Sequence, residues 1–131
     1  MDSSGSISTR NWQKMKAFLN NMVRAFHSGE YGARFAIVVY SSKAEVSLKF
    51  DDFQGSPAYT KEVIEVIKKL RHQRGSTFID KALALAEVEV FLGAAGMRPN
   101  VPKVGRKGSV SQNGRGLISF FLIHHFAVPK R

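Results

Sequence analysis

The sequence of 131 residues contains no cysteine, which excludes a disulfide framework and a cysteine-ligated zinc site. It also lacks an apolar run long enough to cross a membrane, because the longest, residues 117–128, is interrupted by Ser119, His124 and His125. The first residues are polar, so we expect no signal peptide in this chain. The length predicts one domain that buries a real core.

Acidic residues are absent from the last part of the chain. All ten lie at or before Glu89, while the segment from Arg98 onward carries seven of the ten excess positive charges. The net charge of +10 therefore belongs mainly to the tail, and the body gives no indication of specific nucleic-acid binding. Catalytic patterns are lacking too, since we find no Ser/His/Asp or Cys/His set and no lysine-bearing phosphate loop. We therefore do not expect an enzyme.

Apolar periodicity organises the first part of the chain. Residues 11–26 repeat apolar side chains at three- and four-residue steps, which predicts an amphipathic helix with the face Trp12, Met15, Phe18, Leu19, Met22, Val23 and Phe26. The continuous β-branched run 35–40 predicts a strand covered on both faces, as in a parallel sheet. Alternating Val46, Leu48 and Phe50 predict a half-exposed edge strand that forms a hairpin with the first.

Two further helices follow. Ser56 and Pro57 suit the cap and first turn of a helix with the apolar face Val63, Ile64, Ile67 and Leu70. A third helix begins after Thr77, with the predicted inward stripe Ile79, Leu83, Ala86, Val90 and Phe91. We expect His27 and His72 at the surface, near helix ends. Helices alternating with strands predict an α/β fold, in which ligands lie at the carboxyl ends of strands beside helix N-termini.

Two loops carry residues that suit a divalent cation. Asp2, Ser4 and Ser6 form a D-x-S-x-S pattern before the first helix, and Thr77 precedes the third. Hard cations such as Mg²⁺ and Mn²⁺ prefer oxygen ligands. One carboxylate and three neutral hydroxyls would leave the ion electron-poor, so such a site recruits an acidic side chain from a partner. Taken alone, a first segment rich in Ser, Gly and Asp is also typical of a solvated tail.

Several spaced blocks give the chain a specific resemblance to a known family. They are DSSGSIS before a helix with Trp12, RFAIVVYS, RGST followed by KAL, EVF, GMRP and VPKV. Through these blocks residues 2–104 resemble a von Willebrand factor type A domain, of the kind found in collagens, matrilins and related matrix or adhesion proteins. The resemblance implies a Rossmann-like, doubly wound, mainly parallel sheet flanked by helices, in an extracellular protein-binding module.

The resemblance also implies a metal-ion-dependent adhesion site, which in this family binds Mg²⁺ or Mn²⁺. The matching positions are Asp2, Ser4, Ser6 and Thr77. A further acid is missing, because the sequence after PKV reads GRK where the family continues with an apolar strand and a Thr-Asp-Gly motif. The implied ion is therefore weakly bound and engages an acidic residue of a matrix partner such as collagen. Asp80 could substitute as a ligand, although an acid in a first helical turn is explained by the helix dipole.

Both ends depart from the family. The apolar strand that precedes D-x-S-x-S in the family is absent, since Met1 adjoins Asp2, and this leaves a vacancy in the sheet. We interpret residues 1–104 as a partial domain and residues 105–131 as a divergent tail, of which 105–116 is too poor in apolar residues to order itself. Residues 117–128 are more apolar, so we expect them either to dock as a substitute strand beside residues 35–40 or to promote aggregation.

Three functional interpretations remain open from the sequence. The first is metal-dependent, non-enzymatic adhesion to an acidic side chain. The second is polyanion binding by the basic tail, which would weaken with salt and survive chelation of metals. The third is a truncated product without independent function. Both ends of the sequence depart from the pattern that the family fold requires, and such a conflict between sequence and fold counts against stable folding.

Overall fold

The computed structural model describes residues 1–26, 32–91 and 96, and the backbone of residues 103–106 and 121–124. The helices are α1 Thr9–Ala25, α2 Tyr59–Lys69 and α3 Ile79–Leu85, which continues as a π-helical turn, Ala86–Val90. The strands are β1 Arg34–Tyr40, β2 Ala44–Leu48, β3 Lys103–Arg106 and β4 Phe121–His124. The predicted α/β fold is confirmed. Within the described residues, no helix combines the length and apolar character that a membrane span requires.

Strand β1 is the centre of the core, and all seven of its residues are buried. Its side chains alternate between two apolar clusters, because successive residues of a strand point to opposite faces. Ile37 and Val39 pack with residues of α1 and α2. Ala36, Val38 and Tyr40 pack with residues of α3 and the π-helical turn. The prediction of a strand covered on both faces is therefore confirmed.

The sheet differs from the one that the family resemblance implies. Its order is β2-β1-β4-β3, and each of these three pairs is antiparallel. A mainly parallel sheet is thus not confirmed in the described residues. The β1–β2 pair is antiparallel because residues 41–43 are too few for the crossover that parallel strands need. This pair is the predicted hairpin, with an irregular register between Ile37 and Val38.

A short parallel segment, residues 1–3, lies beside the carboxyl end of β1. The Met1 nitrogen donates to the Val38 carbonyl at 2.5 Å. The Tyr40 N–H donates to the Met1 carbonyl at 3.0 Å, and the Ser3 N–H donates to the Tyr40 carbonyl at 2.7 Å. Asp2 forms a parallel bridge with Tyr40. These bonds hold the D-x-S-x-S loop at the carboxyl end of β1, the edge at which open α/β sheets bind ligands.

Strand β4 lies on the same edge of β1 as residues 1–3. Strand β2 covers residues 37–40 on one edge of β1. Residues 1–3 and β4 therefore lie along the opposite edge of β1, where β4 pairs with residues 34–36. Docking of the apolar tail beside the first strand is therefore confirmed for Phe121–His124. Strand β3 pairs in turn with β4, so residues 105 and 106, which the sequence assigns to a linker, belong to a strand. Residues 107–120 lie outside the described residues.

The helices differ in detail from their predicted faces. Phe18, assigned to the inward face of α1, is 48% exposed. Helix α2 begins at Tyr59, two residues after Pro57. Leu83 is 43% exposed and Ala82 is buried in its place. The buried side chains are instead Ala82, Ala86 and Val90, which recur every four residues from α3 into the π-helical turn that follows it.

Removal of residues 107–131 should destabilise the chain, because the truncation deletes β4 and uncovers the β1 edge at residues 34–36. We expect a lower urea midpoint, followed by circular dichroism, with the helical signal retained in the absence of urea. Removal of residues 126–131 is the matched control, since it spares β4 and should leave the midpoint unchanged. Equal midpoints for the unaltered chain and the longer truncation would contradict the docking of β4.

Candidate metal site

Asp2, Ser4 and Ser6 are joined by hydrogen bonds in the first loop. The Ser4 N–H donates to Asp2 Oδ1 at 2.9 Å, and the hydroxyl oxygens of Ser4 and Ser6 lie 2.9 Å apart. Asp2 and Ser4 are buried, whereas Ser6 is exposed. The structure thus brings three of the four predicted site residues together. Solvent reaches this cluster of three side chains at Ser6.

Backbone contacts hold the second loop against the first. The Gly5 N–H donates to the Gly75 carbonyl at 2.7 Å, and the Arg74 N–H donates to the Ser3 carbonyl at 2.7 Å. Thr77, the fourth predicted residue, is exposed and follows Gly75 by two positions. The two predicted loops are therefore neighbours, as the family resemblance implies.

The end of β1 fixes the second loop on both sides of Thr77. The Ser76 N–H donates to Ser42 Oγ at 2.9 Å, and the Phe78 N–H donates to the Ser41 carbonyl at 3.1 Å. Gly75 has φ +99°, and a Cβ on this residue would lie 2.6 Å from Ser42 Oγ. The backbone conformation therefore favours glycine, and a side chain here would displace the Ser42 hydroxyl that accepts the hydrogen bond from Ser76.

Ser3 joins the two loops, although no sequence pattern identified it. This residue is fully buried. Its hydroxyl accepts a hydrogen bond from the Gln73 N–H at 2.5 Å and donates to the Arg71 carbonyl at 3.3 Å. Because Ser3 lies between Asp2 and Ser4, these bonds restrict the backbone that carries both predicted ligands.

His72 contacts the first loop. It lies near the end of α2, as predicted, but it is half-buried rather than at the surface. Its Nε2 lies 3.0 Å from the Ser4 carbonyl, and its ring stacks on that of Trp12 with centroids 5.1 Å apart and planes 11° apart. A carbonyl only accepts, so Nε2 carries the hydrogen. The buried Nδ1 has no hydrogen-bond partner among the described residues. No local pattern could have joined two residues so distant in sequence. His27 lies outside the described residues.

Among the described residues, no basic side chain forms an ion pair with the Asp2 carboxylate. It is 3% exposed, and neither of the ion pairs found in the described part of the chain involves it. Burial raises the pKa of the Tyr40 hydroxyl, and the Asp2 charge raises it further, so this neighbour remains neutral. Burying a carboxylate without a cation costs free energy. A divalent cation that binds Asp2 would offset that cost, so the residues present fit such an ion.

The available ligands limit how strongly a metal could bind. Among residues 1–26, 32–91 and 96, no three His, Cys, Asp or Glu side chains are grouped so that they could hold an ion. The donor set is therefore one carboxylate and neutral hydroxyls, which favours a hard cation bound weakly. Asp80 is exposed in the first turn of α3, where its charge stabilises the helix terminus.

Comparison with known proteins identifies the class to which this fold and these loops belong. Residues 1–105 match the family model of the von Willebrand factor type A domain. The chain therefore belongs to this family, whose domains in matrilins and collagens are non-enzymatic matrix modules.

Individual relatives are matrix proteins much longer than this chain. Matrilin-1 of Gallus gallus is 30% identical over 105 residues, which are 80% of this chain and 20% of that protein. The collagen alpha-6(VI) chain of Homo sapiens is 36% identical over 106 residues, 79% of this chain and 4% of that protein. A similar solved structure is proximal thread matrix protein 1 (PTMP1) from the mussel byssus, with a TM-score of 0.63 and 24% identity over 73% of this chain and 24% of that one. This last similarity supports the fold alone.

Replacing His72 should loosen the first loop. In His72→Phe the aromatic ring that stacks on Trp12 is retained, but the donor to the Ser4 carbonyl is lost, so we expect a loss of about 1 kcal/mol in unfolding free energy. Urea denaturation measures this loss, and amide hydrogen exchange at Gly5 and Ser6 should become faster. His72→Gln, which offers an N–H in the same region, should recover part of both effects. The hydrogen bond would be unimportant if His72→Phe matched the unaltered chain in both measurements.

Proposed function

We propose that this chain is a non-enzymatic protein-binding module of the extracellular matrix that engages an acidic side chain of its partner through a divalent metal ion. Asp2, Ser4, Ser6 and Thr77 would hold the ion, Mg²⁺ or Mn²⁺. The observation that carries the proposal is the buried Asp2 carboxylate, which forms no ion pair with a basic side chain among the described residues. It accepts a hydrogen bond from the Ser4 N–H, and the Ser4 hydroxyl is in turn hydrogen-bonded to that of Ser6.

The missing acid explains why a partner would be needed. A divalent ion held by one carboxylate keeps an excess of positive charge, and the affinity of a site for the ion rises with the number of charged ligands. A carboxylate from another protein would supply the second negative charge. Within the chain, Asp2 supplies charge and the hydroxyls supply neutral oxygens, while Ser3, Gly75 and His72 keep the loops in position.

Matrix relatives support the kind of partner and the location. Matrilin-1 and several collagen chains are among the relatives of this domain. A collagen or another matrix protein with an exposed acidic residue is accordingly the proposed partner, and the proposed location is extracellular. The basic residues that follow Arg98 favour a second candidate function, the binding of polyanions. Chelation with EDTA separates the two, because it should abolish only the metal-dependent interaction.

Asp2→Asn should abolish metal binding. We expect the unaltered chain to bind Mn²⁺ with an affinity in roughly the millimolar range, because a single carboxylate is available. Isothermal titration calorimetry measures this affinity directly. Asp80→Asn is the matched control, since Asp80 is an exposed acid in α3, and it should bind Mn²⁺ as the unaltered chain does. Unchanged Mn²⁺ affinity in Asp2→Asn would exclude the proposed site.

A further inference from the structure

Two segments of the sequence contain basic residues but no acid. They are residues 3–29 and residues 66–79, and all ten acids of the chain lie outside them. Their basic residues are Arg10, Lys14, Lys16, Arg24, Lys68, Lys69, Arg71 and Arg74. The excess positive charge of the first hundred or so residues is therefore concentrated in these two segments, whatever the tail contributes.

The fold places these two acid-free segments against each other. The Lys16 ammonium on α1 donates to the Lys68 carbonyl at 2.5 Å and to the Leu70 carbonyl at 3.2 Å. One helical turn earlier in α1, the ring of Trp12 stacks on that of His72, with centroids 5.1 Å apart. The chain that follows α2 therefore runs back along α1 toward the beginning of that helix.

The contact between the segments continues to Arg74, whose Nη2 donates to Thr9 Oγ1 at 3.3 Å. Thr9, Trp12 and Lys16 share one face of α1, because residues three or four apart on a helix lie above one another. At 1.5 Å per residue, this face is about 10 Å long from Thr9 to Lys16. Residues 68–74 and this face of α1 together form one continuous surface, which we call the basic strip.

The cations of the basic strip are accessible to an anionic ligand. Lys69, Arg71 and Arg74 are exposed, and neither of the ion pairs in the described part of the chain involves them. The end of α2 would ordinarily repel an anion, because the last carbonyls of a helix carry partial negative charge. Lys16 offsets this effect, since its ammonium contacts two of those carbonyls. The surface around Lys69, Arg71 and Arg74 therefore favours negative charge.

We propose that the basic strip binds a sulfated glycosaminoglycan chain, independently of the metal site and of the basic residues in the tail. A linear chain of sulfates can meet Lys69, Arg71 and Arg74 in succession along the strip. Among residues 9–16 and 68–74 no large apolar side chain is exposed, which argues against a membrane surface, where apolar side chains insert. The matrix relatives and the proposed extracellular location favour a sulfated polysaccharide over nucleic acid.

Binding to immobilised heparin, measured by surface plasmon resonance in the presence of EDTA, tests the basic strip. Lys69→Gln/Arg71→Gln should bind about tenfold more weakly than the unaltered chain, because two exposed charge contacts are lost. Lys49→Gln/Lys81→Gln removes the same charge from the α3 side of the sheet, where Lys49 pairs with Glu89 and Lys81 belongs to α3. This control should bind as the unaltered chain does. An equal loss in the two double variants would overturn the proposal, since net charge alone would then explain binding.

The basic tail requires its own control. A tail-neutralised chain carries the substitutions Lys107→Gln, Arg115→Gln, Lys130→Gln and Arg131→Gln. In this chain, the tenfold effect of Lys69→Gln/Arg71→Gln on heparin affinity should persist. If the tail-neutralised chain no longer bound heparin, the tail would be the binding segment and the proposal would be overturned.

Further measurements define the ligand and separate this proposal from the metal site. Arg74→Gln, at the other end of the strip, should weaken heparin binding about threefold, with circular dichroism used to check that each variant keeps its helical content. Desulfated heparin should bind at least tenfold more weakly than heparin. Equal binding of desulfated heparin, or tighter binding to phosphatidylserine vesicles or to DNA than to heparin, would overturn the assignment. Asp2→Asn, which should abolish Mn²⁺ binding, should not weaken heparin binding, so either proposal can fail without the other.

Discussion

The backbone pairing of residues 1–3 with the carboxyl end of β1 is the interaction on which the rest of the site depends. Three hydrogen bonds fix this segment against Val38 and Tyr40. Strand β1 is in turn immobilised by burial on both faces. Asp2 is therefore held against the most deeply buried strand of the described fold, and Ser4 follows it directly in the first loop.

Burial gives the Asp2 carboxylate an energetic reason to bind a cation. In the described residues it receives a hydrogen bond from Ser4 but takes part in no ion pair. A buried charge in that situation costs stability, and a bound divalent ion, as proposed, would lower that cost and present positive charge to a partner. In the proposed function, weak metal binding and recruitment of an outside acid would have one cause, since the charge that the described residues do not supply would come from the partner.

The sequence predicts much of this arrangement because its strongest signals are local. The apolar run of β1, the helical stripe around Trp12 and the D-x-S-x-S pattern each lie within a few residues. The features that it does not predict depend on contacts between distant segments. Examples are the stacking of His72 on Trp12, the bonds of Ser3 to the second loop, and the antiparallel direction in which β4 docks on β1. No residue pattern indicates the π-helical turn Ala86–Val90 that follows α3.

Paramagnetic broadening by Mn²⁺ tests the proposed metal site most directly, because it detects weak binding and locates the ion. We predict that small additions of Mn²⁺ to the isotopically labelled chain broaden the amide signals of residues 2–6 and 75–77 first, while those of α1 and α2 remain sharp. Mg²⁺ in excess should restore the signals. Broadening centred on any other part of the chain, or none in these two loops, would contradict a metal site formed by Asp2, Ser4, Ser6 and Thr77.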